Sequence, residues 1–143
     1  MANSARAQSP RDKAEELFQQ GRKLIQEGQF AAGCEKLAAS QELDPATGTL
    51  LNLAECYEKA GHPAQALRTY ERAKESAERQ GRADWAKFAG DRVTAIAPHV
   101  PRARLHVDKG AGLAVELDGK ALGNFVSGGE LRVDPGPHRV VLR

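Results

Sequence analysis

The chain has 143 residues, 41% of them hydrophobic and 28% charged, a globular composition that allows one ordinary domain or two small ones. The formal net charge is +2 with both signs interspersed, so there is no basic stripe to track a phosphate backbone and nucleic acid is a poor partner. No run of about 18 apolar residues occurs to read as a membrane span, and with aromatics at 5% the core has to be built from Leu, Ala and Val.

Residues 1–12 read as a disordered tail. Within it Ala5-Arg6-Ala7, ahead of Gln8, has the small-x-small form that signal peptidase accepts, but the apolar segment that should precede it is absent. The stretch reads either as a remnant of an export signal or as an ordinary Ala/Ser-rich tail.

Residues 13–98 carry a helical repeat. Two segments align without gaps at an offset of 33: Leu17 with Leu50, Gly28 with Gly61, Gly33 with Ala66, Leu37 with Tyr70 and Ser40 with Ala73. Each unit places apolar residues at i, i+3, i+4 and i+7 on both sides of a central glycine, the pattern of two helices joined by a tight turn. Leu17, Gly21, Leu24 and Ile25 mark the first helix, which Gly28 ends as a left-handed cap. Phe30, Gly33, Leu37 and Ser40 mark the second, which stops at Leu43-Asp44-Pro45 because Pro disfavours helix in the residue before it. The second unit follows with Leu50, Leu53, Ala54 and Tyr57, then Gly61, then Ala66, Tyr70 and Ala73, with Pro63 just inside its second helix. Small residues at Gly21, Gly33, Ala54, Ala66 and Ala73 let neighbouring backbones approach. A last helical stretch, Arg82 to Ala97, has Trp85, Phe88, Ala89, Val93 and Ile96 on one face and reads as a cap, with Trp85 in its core.

Over roughly residues 14 to 78 this spacing, with its small positions and the Leu43-Asp44-Pro45 ending, resembles the tetratricopeptide repeat. It departs from that pattern at Leu17 and Leu50, where a Trp is common, and at Gln20. The resemblance implies an antiparallel α-helical hairpin array of two units plus a capping helix, whose concave face is lined by the first helix of each unit. Helix phase exposes Gln19, Arg22, Gln26, Asn52, Glu55, Lys59 and Lys87 there, amide and charged groups suited to clamping an extended peptide, or else an ordinary solvated face.

After Pro98 and Pro101 the period becomes two. Leu105 to Val107, Leu113 to Leu117, Leu131 to Val133 and His138 to Val140 alternate, with turns at Asp118-Gly119 and at Asp134 to Pro137. Residues 103–143 therefore read as a small β part whose last strand is still running at Arg143. Gly112 to Gly123 and Val133 to Val141 resemble the PEGA domain, with a departure at Asn124 and Phe125, and the resemblance implies a small, truncated antiparallel β-sandwich. Helical repeats followed by such a segment resemble exported envelope proteins of myxobacteria and their relatives. That implies a periplasmic or cell-surface location, with a cytoplasmic one as the alternative, a possible membrane anchor downstream, and possible glycan contact by the β segment.

Cys34 and Cys56 are the only cysteines, on neighbouring helices of the two units. They read either as a disulfide, in an exported chain, or as two buried thiols. His62, His99, His106 and His138 form no H-x-x-x-H or H-E-x-x-H set, and Gly110-Ala111-Gly112 lacks the Lys-Ser/Thr ending of a phosphate loop. With no catalytic, cofactor or metal constellation, the chain reads as a non-enzymatic interaction or scaffolding module. A structural homo-oligomerising module, or an accessory domain of a larger enzyme, is the alternative.

Overall fold

A computed structural model describes residues 6–108, 114–123 and 125–143. Five α-helices precede short antiparallel strands in two small sheets, an α+β layout. The helices are α1 (Pro10–Gln26), α2 (Phe30–Leu43), α3 (Thr47–Lys59), α4 (Pro63–Arg79) and α5 (Ala83–Ile96), and a 3-10 turn at Ala97–His99 follows.

α1 starts at Pro10, inside the stretch 1–12 expected as a tail. Ser9 Oγ accepts from the Asp12 backbone N–H at 3.1 Å and the Asp12 carboxylate returns to Ser9, a reciprocal cap that satisfies two first-turn donors. Pro10 occupies the first helical position, where its missing N–H has no helical partner to lose. Ser9, Pro10 and Asp12 together make a helix start.

Three helices end in the same way. Gly28, Gly61 and Gly81 have φ of 78°, 80° and 67°. In each case the residue after the glycine donates to a carbonyl five positions back: Gln29 to Leu24, His62 to Tyr57, Arg82 to Ala77. This left-handed cap satisfies the last carbonyls and reverses the chain within three residues, so each helix packs on the next. Between α2 and α3 the Gln41 side chain accepts from Ala46 N–H at 3.1 Å and so serves the start of α3, whose own cap residue, Ala46, has no side-chain acceptor to offer.

Packing follows the small residues. A Cβ on Gly33 would lie 2.7 Å from Ile25 Cγ1, and one on Gly21 would lie 3.0 Å from the Gly33 carbonyl oxygen, so α1 and α2 meet backbone to backbone at this pair. Ala54, Ala64, Ala66 and Ala73 are fully enclosed between α3 and α4, in a cluster with Leu50, Leu67, Tyr70 and, from α5, Ala89 and Ile96. Cys34 and Cys56 form a disulfide between α2 and α3 with Cα atoms 5.6 Å apart, inside a second cluster with Leu37 and Leu53. A two-armed ion pair from Arg92 to Glu58 (3.0 and 2.6 Å) ties α5 to α3.

The β part comprises β1 (Arg102–Arg104), β2 (Val115–Leu117), β3 (Lys120–Ala121), β4 (Glu130–Arg132) and β5 (Val140–Leu142). β1 pairs with β4 in one sheet, and β3, β2 and β5 lie in that order in the other, all antiparallel. The expected strand at Leu105 to Val107 is displaced to Arg102–Arg104, one residue ahead of the expected boundary at 103. Gly128, at φ 83°, donates to the Leu105 carbonyl one residue out of the β1–β4 register, and the Ser127 hydroxyl takes the Val107 N–H, so the ladder ends there. Likewise the strands expected at Leu131 and at His138 begin at Glu130 and Val140. The strand read from Leu113 starts at Val115 among the described residues, and Leu113, like Gly110-Ala111-Gly112, Asn124 and Ala5, lies outside them. Asp118 and Gly119, at φ 51° and 78°, form the two-residue turn that makes β3, a strand too short to show in the sequence pattern.

The two parts meet at the start of α4. Pro63 has no N–H and His62 offers no side-chain cap, so the first free donor is Ala64, whose N–H reaches Asp134 Oδ1 at 2.6 Å, 70 residues on. A carboxylate there also opposes the positive end of the helix dipole. Arg132 adds an ion pair to Glu71 at 3.4 Å.

Candidate functional site

The first helix of each hairpin, α1 and α3, and then α5 border a groove of about 780 Å³, walled by Glu15 and Phe18 of α1, Pro45 and Ala46 of the connecting turn, Gly48 and Asn52 of α3, and Arg82 and Trp85 at the α5 side. A smaller depression of about 170 Å³ lies between α1 and α3, lined by Arg22, Gln26, Asn52, Glu55 and Lys59 with Ile25 and Cys56. Asn52 borders both, so the two form one continuous surface.

Five of the seven residues expected on this face are therefore brought together. The other two are not. The exposed Gln19 donates its amide to Glu15 Oε1 at 2.7 Å, along its own helix, and lines neither hollow. Lys87 is 78% exposed and paired with Asp91 at 2.7 Å, away from both.

The walls carry two features that sequence reasoning missed. The Arg22 guanidinium lies over the Phe18 ring, 5.9 Å from its centroid, and the Arg82 guanidinium lies 3.6 Å over Trp85. Arg82 is also held by two hydrogen bonds to Asp84, which lower the Asp84 carboxyl below its usual range. Trp85 is half-buried: it packs against the α3–α4 cluster, as expected of a core residue, and also borders the groove. Gly48 lies beside the ring, and a Cβ there would meet Trp85 Cη2 at 3.7 Å, an ordinary contact, so the placement of Trp85 does not depend on that glycine.

Asn52 donates to the Gly48 carbonyl at 2.8 Å, which fixes its amide at the seam and leaves the side-chain oxygen free of that bond. Arg22, Lys59 and Gln26 add donors, and Glu55 adds an acceptor. Such a mixed set matches the alternating N–H and C=O groups of an extended backbone.

Among the described residues no three His, Cys, Asp or Glu side chains cluster as a metal shell. His138 has both ring nitrogens engaged, Nδ1 with the Asp118 carboxylate at 2.7 Å and Nε2 with the Asp134 carbonyl at 2.5 Å, so neither is free to take a proton from a substrate. His62 lies 3.9 Å from Asp134 at the α4 start, and no helix of the described residues is long and apolar enough to cross a membrane.

No family model matches the chain, and no curated protein matches it in sequence.

Proposed function

We propose that α1 to α4 are two tetratricopeptide-like units, that α5 caps them, and that the two small sheets form a PEGA-like sandwich. On this reading the chain is a non-enzymatic protein-interaction or scaffolding module of the bacterial cell envelope, gripping an extended segment of a partner protein on its concave face. Like turns at Gly28 and Gly61, 33 residues apart, support the repeat. The Cys34–Cys56 disulfide supports export to an oxidising compartment. The observation that carries the binding reading is the convergence of Arg22, Gln26, Asn52, Glu55 and Lys59 from two helices on one hollow, continuous with a groove bordered by Phe18 and Trp85. Rings held under guanidinium groups offer contact area at small entropic cost.

The test is capture of partners from an envelope fraction by the wild-type chain and by an Asn52→Ala, Lys59→Ala double variant. Loss of two groove contacts should lower recovery about fivefold, the equivalent of roughly 1 kcal/mol. Equal recovery would remove the groove from the account.

A second reading, a structural module that self-associates, is favoured by the exposed apolar Val126, Val140 and Leu142 of the β part. Light scattering separates the two, since a stable symmetric oligomer supports the second.

A further inference from the structure

The β part does not close its own core. Of its described side chains from β1 onward only Val115 is buried, while Leu117, Leu122, Leu131 and Val133 are half-buried around a cavity of about 550 Å³ that opens between the two sheets and α4. That volume is ligand-sized and its lining is mainly apolar.

Two free sheet edges border this cavity. Among the described residues β4 pairs only with β1 and β3 only with β2, yet residues of both line the same space. The hydrogen-bond alternation shows which way their peptide groups point. Val133 N–H donates to the Pro101 carbonyl, so Leu131 and Ala103 are the next bonded pair, and the N–H and C=O groups of Glu130 and Arg132 face away from β1. Leu122 N–H donates to the Val115 carbonyl, so by the same alternation the peptide groups of Ala121 face away from β2. Unpaired strand edges beside apolar side chains are what an added strand completes.

The rim has a sign. At its α4 side the cavity is continuous with a groove of about 490 Å³ on α2 and α4, since Gln65, Arg68 and Lys120 line both. Arg68, Arg72 and Lys120 border that groove and belong to none of the ion pairs among the described residues, while Glu42 is the one acid lining it. The acids of the cavity itself are already engaged: Glu130 with Arg102 and Arg104, Asp118 with His138, and Asp134 with the start of α4.

We propose that this cavity is a second binding site, one that accepts an extended acidic segment of a partner protein by strand addition to the β3 or β4 edge. Apolar side chains of the segment enter between the sheets, and its carboxylates meet Arg68, Arg72 and Lys120. The site touches α3 at Leu53 and Tyr57 and shares Pro45 with the first groove, but Arg68, Arg72, Lys120 and the two strand edges belong to it alone, so each site can fail without the other.

The probe is a fluorescein-labelled peptide of about seven residues, a common strand length, that alternates valine with glutamate, with a control in which lysine replaces glutamate. Fluorescence anisotropy with the full chain should show saturable binding of the acidic peptide, at least about tenfold tighter than the control. An Arg68→Glu, Lys120→Glu variant should lose it, and Asn52→Ala should keep it. Both reversed residues are exposed, so the fold is not at stake. Amide exchange should slow at Ala121, or at Glu130 and Arg132, when the peptide is bound. The proposal is overturned by no saturable binding up to about 1 mM, by equal binding of the control, by undiminished binding to the variant, or by a second copy of the chain protecting those amides on its own.

Discussion

His138 joins two turns that are 20 and 4 residues away from it. Its Nδ1 meets the Asp118 carboxylate in the β2–β3 turn and its Nε2 meets the Asp134 carbonyl in the β4–β5 turn. Only the protonated ring donates at both nitrogens, so the two bonds favour the charged form. Chiefly the Asp118 bond, and then the Asp134 carbonyl, raise the His138 pKa above its ordinary 6.5. A raised folded-state value contributes stability that is fully present below 6.5 and is lost as pH rises through the folded value. The joint between the two turns should therefore loosen as pH is raised above 6.5. A proton NMR titration of the imidazole should show His138 titrating above a peptide histidine, and Asp118→Asn should bring it back. A wild-type midpoint at or below 6.5 would show that the ring does not bridge the turns as a cation. None of this could be read from the sequence, in which His138 was one of four histidines without a motif. Its partners are set by turn geometry, and a two-residue turn with both φ positive determines where a carboxylate points. The cysteines were easier, because stacking of successive helix pairs put Cys34 and Cys56 on neighbouring helices and left only their oxidation state open.

Among the elements, two kinds of glycine should behave differently on substitution. Gly33 sits where α1 and α2 touch, and a methyl group there would come within 2.7 Å of Ile25 Cγ1 and 3.3 Å of the Ile25 backbone nitrogen, which cannot yield. Gly33→Ala should cost about 1–3 kcal/mol through forced separation of the helices, less the roughly 1 kcal/mol that alanine returns in helix propensity. Gly28 has open space around its missing Cβ but a φ of 78°, so Gly28→Ala should cost about 1–2 kcal/mol through the backbone alone. Urea unfolding measures both, and an added Ile25→Ala tells them apart. Removing the clashing side chain should recover part of the Gly33 loss and none of the Gly28 loss. Helices were legible to within about three residues because a period of 3.6 sustained over four turns, with a glycine at the end, has few competing readings. Strands of two or three residues cannot sustain a period, so Lys120–Ala121 went unseen and Arg102–Arg104 was placed three residues late.

For the molecule as a whole, the disulfide is a covalent tie between the two hairpins in addition to the backbone turn at Pro45, joining residues 22 apart. Closing a loop of that size removes about 3 kcal/mol of disorder from the unfolded chain. Reduction, or a Cys34→Ala, Cys56→Ala variant, should lower the melting temperature by roughly 10 °C, and an unchanged melt would mean that helix packing alone sets the stability of the array. The offset of 33 made this stacking legible. The attachment of the β part was not, since it depends on a carboxylate meeting a peptide N–H 70 positions earlier, a pairing with no local signature. That contact, with the Arg132–Glu71 ion pair beside it, gives mechanical load a second route into the helices. A pull on β5 reaches the helices not only along the covalent path through Pro101 and Pro98 but also across the Asp134–Ala64 bond, which sits beside the tight reversal at Gly61. Strain on the β part is thus delivered also to the start of α4, at the hinge of the second hairpin, rather than to α5 alone.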